Sequence, residues 1–213
     1  MERYAIILAA GKGSRMKSLN DEVSKVSFLI LDKPLVRYVL DAIEPIGIKQ
    51  KVVVVGFGGT KTSEIVKDRA DIVWQRELLG TGHAVMQTKP VLEGKKGSTF
   101  ILCGDTPLLT TETLNKMLKK HERTNAALTI LTACIENPKG YGRIIRDSKT
   151  SRVLAIKEDR DCNEHEKYIN EINSGVYVVN NELLYKYLDK ITPNNNQNEY
   201  YLTDLVKLFV EDN

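Results

Sequence analysis

Short, nearly unbroken apolar runs alternate with amphipathic stretches through the first 125 residues of this 213-residue chain. Residues 4–8, 52–55 and 99–103 have the length of buried strands, and each run reaches a glycine within a few residues of its end. Residues 71–74 read as a shorter strand. Strands without polar alternation are covered on both faces, which is the mark of a parallel sheet layered by helices. Between them Leu35, Val36, Val39, Leu40 and Ile43 recur at helical spacing, with Pro34 expected at the first helical position. Leu114, Met117 and Leu118 do the same within a helix over 111–123, and residues 62–70 and 82–92 also read as helix. From Ala126 the rhythm changes. Residues 128–133, 142–146, 152–156 and 175–179 read as strands with less helix between them; a polar loop at 193–198 and a helix over 199–210 follow. The pattern predicts one α/β domain. A mostly parallel mixed sheet with helices on both faces occupies 1–125, and a small β-rich extension with a last helix occupies 126–213.

Composition narrows the classes. A chain of this length buries enough surface to need no disulfide or structural metal. No apolar run approaches the roughly 18 residues of a bilayer span, and the first ten residues lack the pattern of a signal peptide. Thirty-one basic residues against 28 acidic ones leave a charge of +3, evenly spread, which gives no footprint for nucleic acid. Cys103, Cys134 and Cys162 are odd in number and far apart. They form neither a disulfide framework nor a zinc ligand set, and a reducing cytoplasm is expected.

Ligands of open α/β sheets bind outside the carboxyl ends of the strands. Three candidate segments fall there: Gly11 to Arg15, Gly56 to Gly59, and Gly104 with Asp105. Neither glycine loop continues as a Walker loop, and both fail the dinucleotide fingerprint, since Met16 and Lys61 stand where its third small residue belongs. The first loop is nonetheless richer than a turn requires. Two glycines, a serine and the cations Lys12, Arg15 and Lys25 lie within fifteen residues, which favours a polyphosphate cradle over a turn with solvated charges. Asp105 suits a hard cation such as Mg²⁺ shared with substrate phosphates, and equally suits a turn or helix cap. Gln75, ahead of Gly80-Thr81-Gly82, offers an amide matched to the edge of uracil or thymine. His83, at the start of an apolar helix, reads as a capping or packing histidine and not as a base.

Taken together these segments resemble the sugar-nucleotide pyrophosphorylases, nucleotidyltransferases with a Rossmann-like core. Within them the resemblance is to the N-acetylglucosamine-1-phosphate uridyltransferase branch, the N-terminal domain of bacterial bifunctional uridyltransferase/acetyltransferases. It runs from Leu8–Met16 through Ser24-Lys25-Val26, Gln75–Ala84, Gly104–Leu108, Asn137–Ile144 and Glu171–Gly175 to Glu199-Tyr200-Tyr201-Leu202-Thr203-Asp204. The resemblance implies transfer of uridylate from UTP to N-acetylglucosamine 1-phosphate, with Mg²⁺ as cofactor. Leu8, Ala9, Ala10, Gln75, Gly80 and Thr81 would then hold uracil and ribose, and Gly11, Gly13 and Arg15 the triphosphate. Arg15 and Lys25 would be the catalytic cations, Asp105 the Mg²⁺ ligand, and Gly142, Glu158 and Asn173 the sugar contacts. The sugar phosphate is already a nucleophile, so the lack of a triad or metal–histidine cluster fits. The chain departs from the family pattern at Leu78 (often glutamine), Ser24 (usually proline) and Cys103 (often tyrosine), and its loop at 19–23 is longer. It ends at Asn213, ahead of the stretch that supplies the family's second magnesium ligand, and without the β-helix domain a monomer is expected. The same inventory leaves open another sugar 1-phosphate, dTTP, or a nucleotide-sugar binding module without turnover. Whether pyrophosphate is released separates these.

Overall fold

The computed structural model describes residues 1–11 and 23–212. Its central strand is β1 (Arg3–Ala9), in which Tyr4, Ala5, Ile6 and Ile7 are all closed off from solvent. A small hairpin of β2 (Leu29–Ile30) and β3 (Lys33–Pro34) leads into α1 (Leu35–Ile43). Pro34 is extended and caps α1 from outside, one position earlier than its sequence preference suggests. Next come β4 (Gln50–Val55), α2 (Gly59–Val66) and β5 (Asp71–Trp74). The helix expected over 82–92 is two pieces, α3 (Thr81–Met86) and α4 (Lys89–Leu92). Pro90 lacks the N–H that would continue α3, so the helix breaks ahead of it and Pro90 falls in the first turn of α4, where no donor is needed. The parallel core then closes with β6 (Ser98–Cys103) and α5 (Thr111–Thr124), whose N-cap Thr110 accepts from the Thr113 amide.

The second half supplies β7 (Leu128–Cys134), β8 (Arg143–Arg146), β9 (Val153–Lys157) and the ten-residue β10 (Glu171–Asn180). Two helices follow. The first, α6 (Asn181–Leu188), was not anticipated, and α7 (Asp204–Glu211) begins five residues later than its apolar pattern suggested. The main sheet runs β5-β4-β1-β6-β10-β8-β9, with β7 paired to β10 off that path. Strands β5, β4, β1 and β6 are parallel, while β10 is antiparallel to β6, β7 and β8.

Alternate residues of each central strand feed two cores. Ile6, Val52, Val54 and Ile101 face α3, α6 and α7; Ile7, Val53, Val55 and Phe100 face α1, α2 and α5. Thus α6 and α7, although late in the chain, return to cover the first half's sheet. Among the described residues no helix is long and apolar enough to cross a membrane.

The connection order places a switch point beside β1. The chain moves from β1 outward through β4 and β5, then returns to lay β6 on β1's other side. At such a point the loops leaving the carboxyl ends diverge and leave a crevice.

Candidate functional site

A cavity of about 540 Å³ lies in that crevice, a volume in the range of small-molecule sites. The end of β1 contributes Leu8, Ala9, Ala10 and Gly11 to its wall; the end of β6 contributes Cys103 and Asp105. Lys25, Gln75, Gly80 and Thr81 border it as well. Nine residues expected from the sequence therefore meet in one place. Gly13 and Arg15 lie outside the described residues. The loop at 56–59 plays another part: the Phe57 amide donates to the Ala10 carbonyl at 3.1 Å, bracing the strand ends next to the cavity.

Lys25 is delivered by a 3₁₀ turn, Lys25–Ser27, that is pinned from beneath. Ser24 is fully buried, and the Ser27 hydroxyl meets that of Thr62 at 2.9 Å. From this turn the Lys25 ammonium reaches Asp105 Oδ2 at 2.8 Å. Asp105 Oδ1 accepts no hydrogen bond among the described residues. No group of three or more His, Cys, Asp and Glu able to hold a metal occurs among those residues. A hard ion would thus take one carboxylate here and the rest of its shell from phosphate and water, the arrangement Mg²⁺ favours.

Gly80 and Thr81 owe their place to a distant segment. The Tyr200 amide donates to the Leu79 carbonyl at 2.8 Å, the Gly82 amide to the Tyr200 carbonyl at 2.7 Å, and the Leu202 amide to Thr81 Oγ1 at 3.1 Å. This seam also brings Glu199 to the cavity wall, a carboxylate to which the sequence reading gave no role. His83 caps nothing, because the N-cap of α3 is Gly80. Its ring instead lies between the side chains of Gln75 and Gln87.

Gly142, Glu158 and Asn173 form a neighbouring cluster and are not part of that wall. The Asn173 amide donates to the Gly142 carbonyl at 2.8 Å. A bulge in β10, where the register shifts between Asn173 and Tyr177, turns the strand at Gly175 with φ +77°. Within the bulge Asn173 Oδ1 accepts from the Gly175 amide at 3.1 Å, and Nδ2 donates to the buried Tyr177 hydroxyl at 2.6 Å. Asn173 is therefore held at both ends of its amide. Glu158 Oε1 accepts from Thr203 Oγ1 at 3.1 Å. Burial drives its pKa upward, and the carboxylates of Asp161, Asp204 and Glu199 push the same way. The cluster meets the cavity at Cys103, whose Sγ points to the Gly175 carbonyl at 3.6 Å. Burial and the Asp105 charge hold that thiol protonated, with its pKa raised to about 12.

Residues 4–213 match the model of the nucleotidyl transferase family. The chain belongs to that family. Among the relatives of this nucleotidyl transferase are the bifunctional protein GlmU of Heliobacterium modesticaldum, 47% identical over 98% of the chain, and that of Geobacillus sp. strain WCH70, 46% identical over 98%. The chain spans only 44% of the length of each. A solved UDP-glucose pyrophosphorylase complexed with UDP-glucose superposes with a TM-score of 0.78, covering 100% of this chain and 88% of that one at 18% identity. This likeness is one of fold.

Proposed function

We propose that this nucleotidyl transferase joins UTP and N-acetylglucosamine 1-phosphate, giving UDP-N-acetylglucosamine and pyrophosphate. The observation that carries the reading is the Lys25–Asp105 pair in the switch-point cavity, whose wall also holds the buried amide of Gln75 and meets the Asn173–Glu158 cluster at Cys103. Gln75, Gly80 and Thr81 hold the uracil and ribose. The backbone of Leu8, Ala9 and Ala10 joins them at the uracil and ribose, and Gly11 approaches the phosphates with Gly13 and Arg15 from beyond the described residues. Asn173 and Glu158 take the sugar's amide and hydroxyls across Gly142. Lys25 neutralises phosphate charge as the sugar phosphate oxygen attacks in line, and no side chain has to remove a proton from that oxygen. Asp105 would hold Mg²⁺ through its open oxygen, and the ion when bound supplies charge neutralisation at the α-phosphate. The GlmU relatives support the coarser reading, nucleotidyl transfer to a sugar phosphate.

Pyrophosphate release from UTP and N-acetylglucosamine 1-phosphate, with Mg²⁺ and with excess chelator, tests the proposal. Release in Mg²⁺ that stops in chelator is expected, as is its loss in Asp105→Ala by roughly a hundredfold or more. Tight binding of UDP-N-acetylglucosamine without release would make the chain a binding module. Release with glucose 1-phosphate or dTTP alone would move the specificity.

A further inference from the structure

Gln75 is 3% exposed, so its amide has little water to fall back on and the partners of each atom matter. The side-chain nitrogen Nε2 donates to the Gly80 carbonyl oxygen at 3.0 Å. A carbonyl only accepts, so this contact fixes which end of the amide faces Gly80. The same nitrogen lies 3.1 Å from Nδ1 of His83. Its second N–H points there, which requires Nδ1 to be the accepting, unprotonated nitrogen of a neutral ring. Both N–H groups of Gln75 are then used. Its Oε1 accepts no hydrogen bond among the described residues, and Gln75 borders the cavity.

On the other side of the ring, Gln87 Nε2 donates to the His83 carbonyl at 3.0 Å and lies 3.1 Å from the ring's Nε2. A proton on Nδ1 would suit Gln87 and oppose Gln75. Gln75 is the more deeply buried of the two, and the mismatch costs most where water cannot repair it. The tautomer with its proton on Nε2 is the one this site selects.

We infer that His83 is a positioning residue for base selection: by accepting the second N–H of Gln75 it holds the amide with its oxygen, and not its nitrogen, toward the nucleobase. This rests on the reading of Gln75 as the base contact. An acceptor at that point matches a pyrimidine that offers a ring N–H, as uracil and thymine do. Cytosine presents a bare ring nitrogen there, and two acceptors would face each other. His83 thus acts through Gln75, without touching the nucleotide.

The test compares UTP with CTP within each variant, so that partial misfolding cancels in the ratio of kcat/KM; where a chain binds without turnover, the ratio of affinities by calorimetry serves equally. His83→Leu removes the acceptor and should reduce the UTP-over-CTP ratio roughly fivefold to tenfold, the effect of one hydrogen bond. His83→Asn, which can accept through Oδ1, should retain most of the preference. Should the leucine variant fail to fold, His83→Ala replaces it. An unchanged ratio in His83→Leu, with the preference lost in Gln75→Ala, overturns the role of His83 and leaves the base reading standing. Unchanged ratios in both variants overturn the base reading itself. An asparagine variant as unselective as the leucine one overturns the acceptor argument.

Discussion

Glu158, a sugar contact in the proposed function, also bears on stability. Its charged form is penalised by burial and by three nearby carboxylates, and a single hydroxyl from Thr203 opposes them. A folded-state pKa above the unfolded value contributes stability that is fully present below the ordinary carboxylate range. That contribution is lost as pH rises through the raised value. Removing the charge should therefore help most at high pH. Glu158→Gln is expected to raise Tm relative to the parent chain by more at pH 8 than at pH 5, and to raise KM for the sugar phosphate. Thermal unfolding at the two pH values checks this; an equal shift at both would place the burden elsewhere. Part of the dependence should survive in the variant, because burial also raises the Asp204 carboxyl.

At the scale of elements, the seam between residues 79–82 and 199–202 builds one side of the cavity. Gly80 sits in it at φ +105°, and a Cβ there would stand 2.6 Å from the Tyr200 carbonyl oxygen. Gly80→Ala combines a backbone conformation that alanine avoids with a collision against main chain. It is expected to cost about 1–3 kcal/mol of stability and to weaken nucleotide binding beyond that loss. Urea unfolding beside UTP titration separates the two effects. The same seam explains a misreading. Tyr201, Leu202, Leu205 and Val206 have helical spacing, yet the residues ahead of Asp204 are pulled out of helix by hydrogen bonds to a segment far away in sequence. No periodicity reports such a partner. Helix α6 was legible only through its cap, Asn180 Oδ1 accepting from the Leu183 amide at 3.0 Å, directly behind a strand with no turn to announce it. The central strands were plain in the sequence because burial on both faces leaves an uninterrupted apolar run. The strand-end residues Gly11 and Asp105 were legible because the fold dictates where strand ends meet, and Gln75 through its amide ahead of the Gly80-Thr81-Gly82 turn. Glu199 and the Gln75–His83 pairing were not, because they depend on which loops touch.

For the molecule as a whole, the join between the parallel core and the β-rich extension is the weight-bearing question. Strand β10 pairs with β6 at one end and reaches β8 at the other. Arg143, the β8 residue paired with Ile172 of β10, is only 2% exposed and pairs with Asp159 at 2.9 Å, while its Nε has no partner among the described residues. Asp159→Ala would strand a buried guanidinium, at a cost of about 3 kcal/mol. The loss should appear as a lower urea midpoint in one transition, since β10 belongs to both halves; two separate transitions would show that the halves unfold independently.

The seam at the cavity has a further consequence for how the protein is made. Thr81 and Leu202 are 121 residues apart, and the parallel strands are synthesised well before the ribosome reaches the second of them. A nascent chain with only β1 to β6 emerged would own the strand ends and Asp105 that border the cavity, but neither the cover of α6 and α7 nor a finished wall beside Gly80. With nucleotide bound as proposed, capture would wait until translation has passed residue 202, and the growing chain would be spared a ligand clamped in a half-built pocket.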